Sequence, residues 1–139
     1  MLSIDVCNAH RTRRVAASEA VRYVKRVLRA ARVKNATVSV VFVDSRYSRR
    51  INRRYLNHDY VTDVISFPLE TGALLEGEVY VNLDRARTQA TAYGVSYGNE
   101  LARLVIHGTL HLVGYDDSTR KNARHMKAEE DDQVHYWFR

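Results

Sequence analysis

Apolar residues recur along this chain with two different periods, and the switches between them mark its elements. Ile4 and Val6 alternate with polar neighbours over 3–7, which predicts a strand. A polar connection carrying Arg11, Arg13 and Arg14 follows. Val21, Val24, Leu28 and Ala31 then return at helical spacing. Arg22, Lys25, Arg26 and Arg29 fall on the outer face of that helix, and Ser18 stands where it can cap it. Lys34 and Asn35 turn the chain into Ala36–Val43, a β-branched run that reads as a buried strand. The segment from Ser45 to Tyr55 has helical spacing, with Asp44 or Ser45 as cap and Tyr47, Ile51 and Tyr55 packing inward.

The second half continues in the same way. After a polar turn at 57–61, Thr62–Phe67 predicts a third strand, which Pro68 either ends or confines to an edge. Glu78–Leu83 alternates as a fourth, and the short link through Gly72 and Gly77 makes the two an antiparallel hairpin. Asp84 can cap a helix reaching Tyr93 and closing at Gly94. Asn99 can cap the next helix, and Ser118 or Thr119 opens a last one holding Met126, Val134 and Trp137. The acidic run Glu129–Asp132 reads as solvated surface. This order predicts one α+β domain over residues 1–139: a small mixed four-stranded sheet packed with about five helices.

Chemistry concentrates in LARLVIHGTLHLVGYDD, from Leu101 to Asp117. His107 and His111 lie four residues apart in an apolar run, so a helix stacks both imidazoles on one face. Gly114 can close that helix and let the chain reverse, bringing Asp116 or Asp117 back toward the pair. The spacing favours Asp117 as third ligand beside His107 and His111, in a zincin-like frame around one zinc ion. Zincin peptidases carry a glutamate directly after the first histidine as general base; here that residue is Gly108. The competing reading of the same residues is a histidine pair buried in a core with no metal.

Charge adds a second theme. The formal net charge of +6 favours a polyanionic partner such as nucleic acid. Arg46, Arg49, Arg50, Arg53 and Arg54 follow helical spacing on one face with no acidic residue among them, a candidate phosphate-binding surface. The single Cys7 has no disulfide partner, sits in a strand where a buried, inert thiol is expected, and fits a reducing cytosol. The first residues lack the pattern of a signal peptide, and no apolar run is long enough to cross a bilayer, so a cytoplasmic protein is expected.

Three stretches together resemble the YbeY family, bacterial metal-dependent endoribonucleases of ribosomal RNA maturation. They are HGTLHLVGYD from His107 to Asp116, TDVISFP from Thr62 to Pro68, and GEVYV from Gly77 to Val81 with Gln89 and Ala90 downstream. The resemblance implies a cytosolic endoribonuclease that cuts single-stranded RNA, with ribosomal RNA or the ribosome as partner and zinc as cofactor. Two positions depart from the family pattern. Asp117 stands where the third ligand is usually histidine, which makes the site harder and admits manganese or another divalent ion. Leu56 stands where most members carry a catalytic arginine, and Arg53 or Arg54 is the candidate substitute. Asp63 is the candidate general base. A small zincin-like metallopeptidase and a non-catalytic ribosome-associated RNA-binding module with a structural metal are the alternatives.

Overall fold

Two valine-rich strands, β2 (Ala36–Val43) and β4 (Leu75–Asn82), run parallel at the centre of the sheet in a computed structural model that describes residues 1–139. Both bury alternate residues on one face: Ala36, Val38, Val40 and Phe42 on β2, Val79 and Val81 on β4. β1 (Leu2–Asn8) pairs in parallel outside β2, and β3 (Val64–Glu70) pairs antiparallel outside β4. The strand order is β1-β2-β4-β3, so the expected mixed four-stranded sheet and hairpin are both present. Pro68 does not end β3. It pairs opposite Gly77, and the register slips between Pro68 and Glu70, which an edge strand tolerates because its outer amides need no partner.

Five helices cover this sheet: α1 (Ala17–Ala30), α2 (Ser45–Tyr55), α3 (Leu83–Tyr93), α4 (Tyr97–Leu112) and α5 (Arg120–Trp137). α4 is the hub, in contact with α1, α3, α5, β3 and β4. Its Leu101, Leu104, Val105, Ile106 and Leu110 are buried together with the inner face of the sheet. Two glycines let α4 lie this close. A Cβ on Gly77 would stand 2.6 Å from Leu112 Cδ2. A Cβ on Gly108 would collide with Val79 and stand 3.1 Å from both Ser66 Oγ and Val64 Cγ2. The Ser66 hydroxyl donates to the Gly108 carbonyl at 2.8 Å, tying β3 to α4 at this point.

On the opposite face of the sheet lies α2. Tyr47 and Tyr80 stack at 6.5 Å, while Phe67 meets Tyr80 at 5.7 Å and Tyr55 at 5.9 Å in edge geometry. Tyr55 remains 63% exposed, so it rims this cluster instead of packing inward as its spacing predicted. Ser48 and Asn52 are buried in its place, each bonded to backbone carbonyls of the following loop.

Several helix starts differ from expectation for local reasons. α1 begins after Ala16 with no side-chain cap, so Ser18 lies inside the helix. Asn82, not Asp84, caps α3, accepting from the amides of Asp84 and Arg85. Asp84 is thereby free to accept from Ser45 N at 3.0 Å and from His10 Nε2 at 2.8 Å. Ser96 caps α4 and accepts from Asn99 N, because the helix starts before Asn99. Cys7 is exposed: β1 is an edge strand, and its outer face has no helix over it.

Candidate active site

His107 and His111 emerge from the last turns of α4 with ring centroids 4.9 Å apart. They open into a cleft of about 440 Å³ between α4, β3 and the C-terminal end of α2. Asp117 lines the same cleft, brought there by the reversal at Gly114, whose φ of +106° suits only glycine. Asp116 is engaged elsewhere: its Oδ1 accepts from Ser118 N at 3.0 Å, Ser118 Oγ at 2.7 Å and Asn122 Nδ2 at 2.9 Å. The two imidazoles and Asp117 thus share one cavity, yet no three His, Cys, Asp or Glu side chains stand close enough together to enclose an ion. Asp117 is exposed and lies outside any helix or strand, between α4 and α5, so side-chain rotation is available to it.

Behind His107 stands a partner that sequence spacing did not reveal. Glu130 on α5 is only 7% exposed, and its Oε1 lies 2.6 Å from His107 Nδ1. An ionised carboxylate only accepts, so Nδ1 carries a proton, and in the neutral ring the lone pair is on Nε2. Arg103, one turn before His107, holds Glu130 Oε2 at 2.6 Å and Asp131 Oδ1 at 2.7 Å. Residues 129–132 are therefore not simply solvated surface. Met126, Glu130 and Val134 recur at i, i+4, i+8 on the buried stripe of α5, the signal that could have found Glu130.

This arrangement sets the two imidazoles apart electrostatically. Burial opposes charge on His107, but the Glu130 hydrogen bond and the charges of Glu130, Asp63 and Asp117 outweigh it and raise its pKa. Burial lowers the pKa of His111, and the neighbouring His107 lowers it further. Burial would push the Glu130 carboxyl up, but His107 and Arg103 hold it below its ordinary range.

Asp63 also lines the cleft, with Gln89 Nε2 donating to its Oδ2 at 3.2 Å. The position following His107 is closed to any side chain, since Gly108 packs directly on Val79; a peptidase's glutamate has no room there. None of the five arginines of α2 lines the cleft. Arg49 and Arg53 bind Asp59 at 2.9 and 3.0 Å, while Arg46 and Arg50 face solvent. Arg54 is not placed to substitute for an arginine at position 56. Asn52 on α2 and Leu56, which caps that helix one turn later, meet the cleft, and Arg54 is about 200° around the helix from Asn52. Its guanidinium lies 5.5 Å from the Tyr55 ring centre instead. His58 and Tyr60, unremarked in the sequence, stand on the cleft wall.

Fold and cleft together define a class: a small α+β protein with an open polar cleft lined by imidazoles and carboxylates, one imidazole held from behind by a buried carboxylate. The model of the Endoribonuclease YbeY family matches residues 5–137. Endoribonuclease YbeY of Chlorobium luteolum is 44% identical over 102 residues, covering 73% of this chain and 74% of that protein. The Chlorobium phaeobacteroides relative of the same name is 39% identical over 131 residues, covering 94% of both chains. The solution structure of TM1509 from Thermotoga maritima superposes with a TM-score of 0.63 at 26% identity, covering 96% of this chain and 87% of that one. The chain belongs to the endoribonuclease YbeY family. No helix in it is long and apolar enough to cross a membrane.

Proposed function

We propose that this protein is a cytoplasmic, single-domain endoribonuclease that depends on a divalent metal and cuts single-stranded RNA during ribosomal RNA processing. The observation that carries the reading is the shared cleft of His107, His111 and Asp117, with Glu130 fixing which nitrogen of His107 faces it. His107 Nε2, His111 and Asp117 are the donors that would hold zinc, or another divalent ion given the carboxylate. Such an ion supplies Lewis-acid polarisation of a phosphoryl oxygen and acidifies water. Glu130 and Arg103 keep His107 oriented. Asp63, with Oδ2 occupied by Gln89, has Oδ1 available to take a proton from the attacking water. The solvent-facing arginines Arg46 and Arg50, with Arg49 and Arg53 beside them, would hold the RNA backbone without reading its sequence.

The test is His111→Ala assayed beside the native protein on a single-stranded RNA and on casein, each with and without chelator. RNA cleavage that requires metal and disappears in the variant is the expected result, with no casein turnover. Unchanged RNA cleavage by the variant would remove this site from the chemistry.

A further inference from the structure

The loop between α2 and β3 projects two aromatic side chains onto the cleft wall. His58 and Tyr60 stack nearly parallel, with centroids 5.1 Å apart and 16° between planes, and Tyr60 Oη lies 3.0 Å from His58 Nδ1. Both rings are exposed, Tyr60 by 54%, and both line the same cleft as His107, His111 and Asp117. Ring faces left in water are unfavourable unless something covers them.

Beneath the rings the loop is firmly anchored. Asn57 takes a positive φ of 57° and reverses the chain. His58 N donates to the Asn52 carbonyl at 3.0 Å, and the buried Asn52 side chain donates to the Tyr60 carbonyl at 2.8 Å. Asp59, which separates His58 and Tyr60 in sequence, is clamped by Arg49 and Arg53. Polar groups thus fix the backbone while the rings stay free, so the pair is presented in advance of binding.

No lysine or arginine lines the cleft, and Leu56 beside the rings is apolar. At this wall a ligand can be held by ring faces and not by charge. We infer that His58 and Tyr60 form a base-stacking platform for the nucleotide that enters the cleft beside the scissile phosphate. This rests on the RNA-cleaving reading above and adds where the base goes. A third planar ring continues a stack that two rings have already begun, whatever the identity of the base. Paired bases in a duplex have both faces covered, so the platform selects unpaired strands.

The experiment uses single-stranded RNA oligomers with 2-aminopurine at successive positions, zinc present, and fluorescence read by stopped flow before turnover. The native protein should quench one position strongly. Tyr60→Phe keeps the ring and should keep the quenching. Tyr60→Leu, and His58→Ala with Tyr60→Ala, should abolish it and weaken binding roughly 10-fold. The salt dependence of binding should not change, because no phosphate contact is lost. Native-like quenching in the double variant would overturn the platform while leaving the nuclease reading intact. So would a weakened affinity accompanied by a flatter salt slope. Failure of the native protein to bind any of the RNA oligomers would sink the nuclease reading, and the platform with it.

Discussion

Replacing Glu130 with glutamine keeps the volume of the side chain and removes its charge. The native carboxylate accepts from His107 Nδ1 and Arg103 Nη1, both at 2.6 Å. Glutamine can accept from only one of them through its carbonyl. With that carbonyl turned to Arg103, its amide faces His107 and donates, so Nδ1 must become the acceptor and the ring proton moves to Nε2. That puts a proton where the cleft needs a lone pair. Losing an outer partner of a metal-binding histidine typically costs 10- to 100-fold in metal affinity, about 1.4–2.7 kcal/mol. Removing one member of a buried charge cluster can cost about 3–5 kcal/mol of stability. Here Arg103 keeps Asp131 at 2.7 Å, and His107 can go neutral, so about 1–2 kcal/mol is expected. For a chain of this length that is roughly 3–8 °C in Tm.

The pH dependence separates this cause from a packing defect. The pKa of His107 is raised in the folded protein, so its contribution is complete below its ordinary value of 6.5 and fades as pH rises through the folded value. The pKa of Glu130 is lowered, so its contribution is complete above its ordinary value of 4.5 and is lost as pH falls through the folded value. The gap in Tm between native protein and Glu130→Gln, both metal-free, should be widest between about pH 4.5 and 6.5 and narrow on either side. Zinc titration by competition with a chromogenic chelator gives the second readout. A variant that melts like the native protein at pH 6 and binds zinc as tightly would refute the role assigned to Glu130.

Gly108→Ala should destabilise the protein by about 1–3 kcal/mol in chemical denaturation, because its methyl would strike Val79 on β4; a neutral effect would mean α4 can withdraw from the sheet. Changing Arg46, Arg50 and Arg53 together to alanine should weaken RNA binding and flatten its dependence on salt, measured by fluorescence anisotropy over a salt series. Of the three, Arg53 should contribute least when changed singly, since Asp59 already holds it at 3.0 Å.

What sequence spacing could show depended on how far apart the cooperating residues lie. His107, His111 and Asp117 fall within one helix and its closing turn, so helical geometry alone brought them near one another. Glu130 reaches His107 only because α5 folds back across α4, and no local period encodes that crossing. The strands and the hairpin were legible because β-branched residues alternate within them. Caps are ambiguous in sequence where several polar residues compete: Asn82 caps α3 beside Asp84, and Ser96 caps α4 ahead of Asn99. The five arginines of α2 share one exposed face, as their spacing predicts, but the acid that occupies two of them, Asp59, lies beyond the helix. Its direction was not legible at all, because the residues that orient α2 are Ser48 and Asn52, polar and buried by loop carbonyls.

Charge around the cleft decides how RNA can enter it. Asp63 and Asp117 line the wall, and no lysine or arginine answers them. A phosphodiester at about 5 Å from the part-buried Asp63 carboxylate meets roughly 3 kcal/mol of repulsion at an effective dielectric near 20, and less from the exposed Asp117. Protonation of His107 would offset part of that, but it would also withdraw the nitrogen lone pair from the site. A divalent cation, if these donors hold one as proposed, would offset both carboxylates and would leave the imidazoles neutral. The α2 arginines, outside the cleft, can gather RNA without any such compensation. Affinity for RNA and entry of RNA into the cleft are therefore separable: chelation should leave salt-sensitive binding largely in place while abolishing 2-aminopurine quenching at the His58–Tyr60 wall. Quenching that survives chelation undiminished would mean the cleft carboxylates do not repel the strand, and the charge argument for a cation at this site would be lost.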